Sequence, residues 1–132
     1  GALESVGDRP TPADQHNRRA KELMAEVDAG SIRLITTQAI MLEVGDALCK
    51  RHHRTSAHRL LMAVENDPHI EIVGLTQDLY SRGLGLFERR ADKEWSLTDC
   101  ISFVVMEERR VSQALTTDAH FEQAGFRALL RP

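Results

Sequence analysis

Apolar residues recur at helical spacing through much of the chain and gather into short β-rich runs between those stretches. Leu97, Cys100, Ile101, Val104 and Val105 fall at i, i+3, i+4, i+7 and i+8, the buried stripe of an amphipathic helix over Leu97–Arg109. Ser96 and Thr98 stand where a hydroxyl accepts the orphan N–H groups of a first turn. Asp99 sits in that turn, where the positive end of the helix dipole favours a carboxylate. After the charged break Glu107–Arg110, the run Val111–Thr117 is apolar in its middle and rich in β-formers, which predicts a strand leading into Asp118.

The rest of the chain repeats this alternation. A helix is predicted from Pro12 or Ala13 to about Ala29, with Ala20, Leu23, Met24 and Val27 on one face and Gly30 as its stop. Ile32–Thr37 is a buried strand. A second helix starts at Thr37 or Gln38, carries Ile40, Met41, Val44, Ala47 and Leu48 inward, and ends in the basic run Lys50–Arg54. Ser56–Asn66 is another helix, closed by Asp67-Pro68, and Ile70–Gly74 the next strand. Thr76 caps a helix that buries Leu79, Tyr80, Leu84 and Phe87 and is interrupted around Gly83 and Gly85. Phe126–Leu130 makes a short last strand. Strands alternating with helices define an α/β domain: a mainly parallel sheet flanked by helices.

Composition narrows the class. The chain has 132 residues, of which 42% are apolar, enough for one domain with a real core. Residues 1–12 read as an irregular N-terminal arm and 13–132 as the domain. No run reaches the roughly 18–20 apolar residues that span a bilayer, and the start lacks a signal-peptide core, which places the chain in the cytoplasm and off the membrane. The net charge of −3 argues against non-specific coating of nucleic acid. Cys49 and Cys100 lack metal or disulfide spacing and read as small buried side chains. His52, His53 and His58 lack the HExxH pattern and read as a basic loop at a helix end rather than a zinc site. Trp95 and Tyr80 read as core residues.

Three acids stand out by position. Glu43 lies on an inward helix face, where a carboxylate needs a cation or hydrogen-bond partner. Asp99 opens a helix, and Asp118 follows a strand end, where open parallel sheets collect their ligands. Such oxygen donors suit Mg²⁺ or Mn²⁺. Taken singly, each acid is better explained as a cap or a solvated side chain than as a ligand.

The segments LITTQAIMLEVGDAL and WSLTDCISFVVMEERRVSQALTTDAHFEQAGF resemble the second, third and fourth acidic motifs of PIN-domain nucleases of the VapC toxin kind, in order and spacing, from about Asp14 to Leu130. The resemblance implies a PIN-like fold and an endoribonuclease that depends on Mg²⁺ or Mn²⁺ and cleaves single-stranded RNA. It further implies a toxin partnered by an antitoxin and commonly a homodimer. Carried over by position, Glu43, Asp99 and Asp118 match the catalytic and metal-binding acids. Thr98, Thr117 and Asp92 match residues that hold such a site together.

One departure matters. The family opens with a central apolar strand ending in an acid, and nothing before Asp14 has that pattern; Val6-Gly7-Asp8 is a poor strand, so the first acid is not carried onto Asp8. The central first strand is expected to be missing or replaced. The alternative function is therefore a catalytically silent PIN-like module for binding or dimerisation. A phosphoacceptor receiver domain ranks lower, since none of Lys21, Lys50 and Lys93 falls late in the sheet.

Overall fold

A computed structural model describes residues 12–131. The arm expected at residues 1–12 and the acid Asp8 lie outside the described residues, save Pro12, which opens the first helix.

The order of elements is α1 (Pro12–Asp28), β1 (Leu34–Thr37), α2 (Gln38–Ala47), α3 (Arg51–Asn66), β2 (Ile70–Val73), α4 (Gln77–Arg89), α5 (Leu97–Arg109), β3 (Gln113–Ala114), α6 (Ala119–Gln123) and β4 (Arg127–Ala128). α1 stops where expected: Gly30 takes φ 77°, which only glycine adopts cheaply, and its N–H donates to the Val27 carbonyl at 2.9 Å. Thr37 and Thr76 cap α2 and α4 through their hydroxyls, and Ser96 caps α5.

α5 is the central helix. Its Ile101 and Val105 pack with Ala39 of α2 and Leu79 of α4, while Cys100 and Phe103 face Trp95, Phe121 and Phe126. The Phe103 ring meets Trp95 and Phe121 edge-on, at centroid distances of 5.0 and 4.9 Å, and the Trp95 indole N–H donates to Gln123. α4 crosses close to α5 because Gly83 has no side chain: a Cβ there would stand 2.6 Å from Cγ1 of Ile101. Glu71 of β2 is bound by both terminal nitrogens of Arg109, which ties that strand to the end of α5.

All strand pairing is parallel, as expected for this α/β fold, but it forms two separate pairs. β1 lies beside β2, in register from Leu34 opposite Ile70 to Thr37 opposite Val73; β3 lies beside β4. A central strand joining the pairs is not among the described elements. Residues of β1, of the segment Val111–Thr116 and of α5 line one crevice of about 740 Å³.

Several boundaries differ from those expected. β1 begins at Leu34 rather than Ile32, and β3 and β4 shrink to two residues each, since strand length is set by the partner's backbone and not by composition. His52, His53 and His58 lie inside α3 rather than in a loop, and all three are exposed. α4 runs unbroken through both glycines. Its buried face is Leu79 and Gly83, leaving Tyr80, Leu84 and Phe87 exposed, so Tyr80 is not a core residue. Cys49 is exposed while Cys100 is buried.

Candidate metal centre

Two local motifs deliver the site. In the first, the Ser96 hydroxyl accepts the Asp99 N–H at 3.0 Å while Asp99 Oδ2 accepts the Ser96 N–H at 3.1 Å, a reciprocal capping box that fixes the Asp99 carboxylate at the start of α5. In the second, Asp118 caps α6: its N–H donates to Thr116 Oγ1 at 3.0 Å, and its Oδ1 accepts the His120 N–H at 2.8 Å.

The fold brings these motifs together. His120 Nδ1 stands 3.1 Å from Asp99 Oδ2 and 3.5 Å from Asp118 Oδ1. One potential ligand atom from each of Asp99, Asp118 and His120 lies within 4.8 Å of the others. The side chains are 17%, 41% and 30% exposed respectively, shielded enough to strengthen a charge contact yet open to solvent and ligand.

Glu43 lines the same crevice as Asp99 and Asp118 but is not one of the three clustered ligands. It is exposed and makes no hydrogen bond or ion pair among the described residues. The expectation of a buried, partnered Glu43 is thus corrected: water solvates the carboxylate, so no partner is needed. Thr98 is half-buried and lines the crevice. Thr117 is exposed, and its carbonyl accepts from Arg131; Thr116, the residue before it, holds the Asp118 backbone instead. Asp92 is not brought to the site. It is exposed and paired with Arg90, whose guanidinium lies over Trp95 and holds the Asp92 carboxyl below the usual carboxylate range.

The position of His120, two residues past Asp118, already points to the site in the sequence, and the turn at Asp118 aims it back at the cap. Ser102 is the residue of the crevice that no motif signals. Its side chain is 5% exposed, its Oγ has no hydrogen-bond partner, and it lines the crevice one turn along α5 from Asp99. A buried hydroxyl left unpaired costs about 1–3 kcal/mol.

Carboxylates with one imidazole beside a buried, unsatisfied hydroxyl form a donor set that fits a divalent cation. Nucleophilic thiol chemistry does not fit, since burial, and then the neighbouring Asp99 charge, push the Cys100 thiol up. Arg33 and Arg127 also line the crevice and make no ion pair among the described residues. A second depression of about 810 Å³ lies beside α4 and α5, walled by Arg82, Arg89, Arg90 and Trp95, and holds none of the three clustered ligands.

A parallel α/β domain with acids gathered at one crevice is the arrangement of a PIN domain, and the PIN domain family model matches residues 13–127. The chain belongs to the PIN-domain family, of the VapC kind. Among solved structures it is similar to Mycobacterium tuberculosis VapC20, described as a sarcin-ricin loop cleaving toxin. That likeness has a TM-score of 0.67 and 25% identity, over 76% of this chain and 75% of the other. No curated protein matches the sequence significantly. Together the family and this neighbour support a ribonuclease of the toxin kind. No helix among the described residues is long and apolar enough to cross a membrane.

Proposed function

We propose that the chain is a divalent-metal-dependent endoribonuclease that cleaves single-stranded RNA and serves as the toxin of a toxin–antitoxin pair. The observation that carries this is the meeting of Asp99, Asp118 and His120 beside the crevice of a PIN domain. Asp99 and Asp118 would hold Mg²⁺ or Mn²⁺, Thr116 would steady Asp118 by accepting its N–H, and Thr98 on the crevice wall would support the site. When bound, the ion supplies a lowered pKa for a water and countercharge for phosphate oxygens.

The chain's own groups do the rest. Asp99 is pre-oriented by the capping box, so little reorganisation is needed to bind. Glu43, exposed on the crevice wall, would accept a proton from an attacking water or extend the ligand set. Arg33 and Arg127 offer guanidinium groups to RNA phosphates without losing an existing pair.

The test is cleavage of a labelled single-stranded RNA pool with Mn²⁺, with Mg²⁺ and with EDTA, alongside an Asp118→Asn control. Metal-dependent cutting that the control loses supports the proposal; metal-independent cutting, or cutting that persists in the control, overturns it.

One observation favours a second function, a catalytically silent PIN-like module for binding or dimerisation: the two strand pairs are not joined by a central strand among the described residues. Divalent binding without any RNA cleavage would select that alternative.

A further inference from the structure

His120 was not among the acids that the motifs single out, yet it is the residue through which the two acidic motifs touch. Asp118 turns the chain so that its own Oδ1 accepts the His120 N–H at 2.8 Å, and this brings Nδ1 back to 3.1 Å from Asp99 Oδ2 and 3.5 Å from Asp118 Oδ1. The imidazole therefore belongs to both carboxylates, which come from different elements.

Those separations are informative. Two donors in neighbouring positions around a six-coordinate ion with bonds of about 2.1 Å lie roughly 3 Å apart, the diagonal of a right angle between such bonds. The 3.1 Å contact of Nδ1 to Asp99 is close to that spacing, the 3.5 Å contact to Asp118 is longer, and the third separation stays within 4.8 Å. A second observation, independent of this cluster, is Ser102 Oγ: buried, without a partner, and on the same crevice.

Building on the metal site proposed above, we infer that His120 is itself a ligand of the ion, through Nδ1, and that this nitrogen makes the site select first-row transition dications over Mg²⁺. Mg²⁺ is hard, keeps its waters and takes carboxylate oxygen in preference to imidazole. Imidazole suits the later first-row dications best, with Mn²⁺ the weakest of that series, so a donor set of two carboxylates and one imidazole shifts the balance from Mg²⁺ towards them. A purely orienting His120, holding Asp99 by a hydrogen bond, would help every ion alike.

The experiment uses the full chain with MnCl₂ alone and with MnCl₂ against MgCl₂, following free aqueous Mn²⁺ by electron paramagnetic resonance and the bound ion by its nitrogen coupling. Wild type is expected to show a nitrogen coupling, and His120→Gln, which keeps the size of the side chain, to lose it. The variant's Mn²⁺ affinity should fall about 10-fold or more, the scale of losing a group on the metal, while Mg²⁺ affinity changes by less than about 3-fold, so that the preference collapses. His120→Ala serves as a second variant, with circular dichroism to establish folding.

Bound Mn²⁺ without nitrogen coupling, or an unchanged Mn²⁺ to Mg²⁺ ratio in both variants, overturns the role of His120 while leaving the carboxylate site standing. A folded wild type that binds neither ion overturns the metal site as a whole, and with it this inference. Asp118→Asn separates the two, since it should weaken both ions together.

Discussion

Ser96 and Asp99 cap each other, hydroxyl to N–H at 3.0 Å and carboxylate to N–H at 3.1 Å, and the same Asp99 Oδ2 faces His120. One carboxylate oxygen therefore both starts the central helix and faces the candidate metal site. The two roles come apart on substitution. Asp99→Asn keeps an acceptor for the Ser96 N–H and is expected to change metal-free stability by less than about 0.5 kcal/mol, whereas Asp99→Ala loses about 0.5–2 kcal/mol with the cap. Both should lose divalent binding. Urea unfolding in EDTA checks the first expectation and metal titration the second; an Asn variant as unstable as the Ala variant would show that the charge and not the cap holds this turn.

Gly83 sits mid-helix, where alanine is ordinarily better by roughly 0.5–1 kcal/mol. Packing reverses the sign here, because the added Cβ would stand 2.6 Å from Ile101 Cγ1 and 3.4 Å from its Cα. Gly83→Ala is expected to destabilise by about 1–3 kcal/mol through overpacking between α4 and α5. A thermal midpoint at or above wild type would mean that the two helices separate at little cost.

Ser102 leads to the opposite expectation. Its Oγ is buried without a partner, so Ser102→Ala removes an unsatisfied group and gains helix propensity, raising metal-free stability by about 1 kcal/mol. Chemical denaturation in EDTA measures it. A loss of stability instead would place an ordered water on that hydroxyl.

The Glu71 carboxyl lies below its ordinary value of 4.5, chiefly because Arg109 hydrogen-bonds it. A lowered folded-state pKa contributes stability that is present above the unfolded value and is lost as pH falls through the folded one. Glu71→Gln is accordingly expected to flatten the decline of stability below about pH 4.5 and to leave its shape near neutrality unchanged. Unfolding midpoints of both proteins between pH 3 and 7 decide it, and parallel curves would show the pair contributes nothing that titrates.

β1 and β3 each pair on one side only among the described residues, and both line the open crevice. Unpaired strand edges invite another strand or another chain. Association into a dimer is the expected outcome at micromolar concentration, with the exposed Leu60 on α3 near the crevice wall as a candidate contact. Sedimentation velocity tests it; a single monomeric species across that range would remove the dimer.

What the sequence determined by itself was local. Helical periodicity, the caps at Thr37, Thr76 and Ser96 and the stop at Gly30 are all set within about four residues, which is why α5 and the end of α1 fall where the pattern puts them. The acidic motifs were legible for the same reason. Only the tertiary structure decided that Asp99 and Asp118 meet through His120, that Glu43 stays solvated, that Asp92 turns to Arg90 and that the strands form two pairs. Those outcomes depend on groups as far apart as the 21 positions between Asp99 and His120, and on strand edges whose partners composition does not specify.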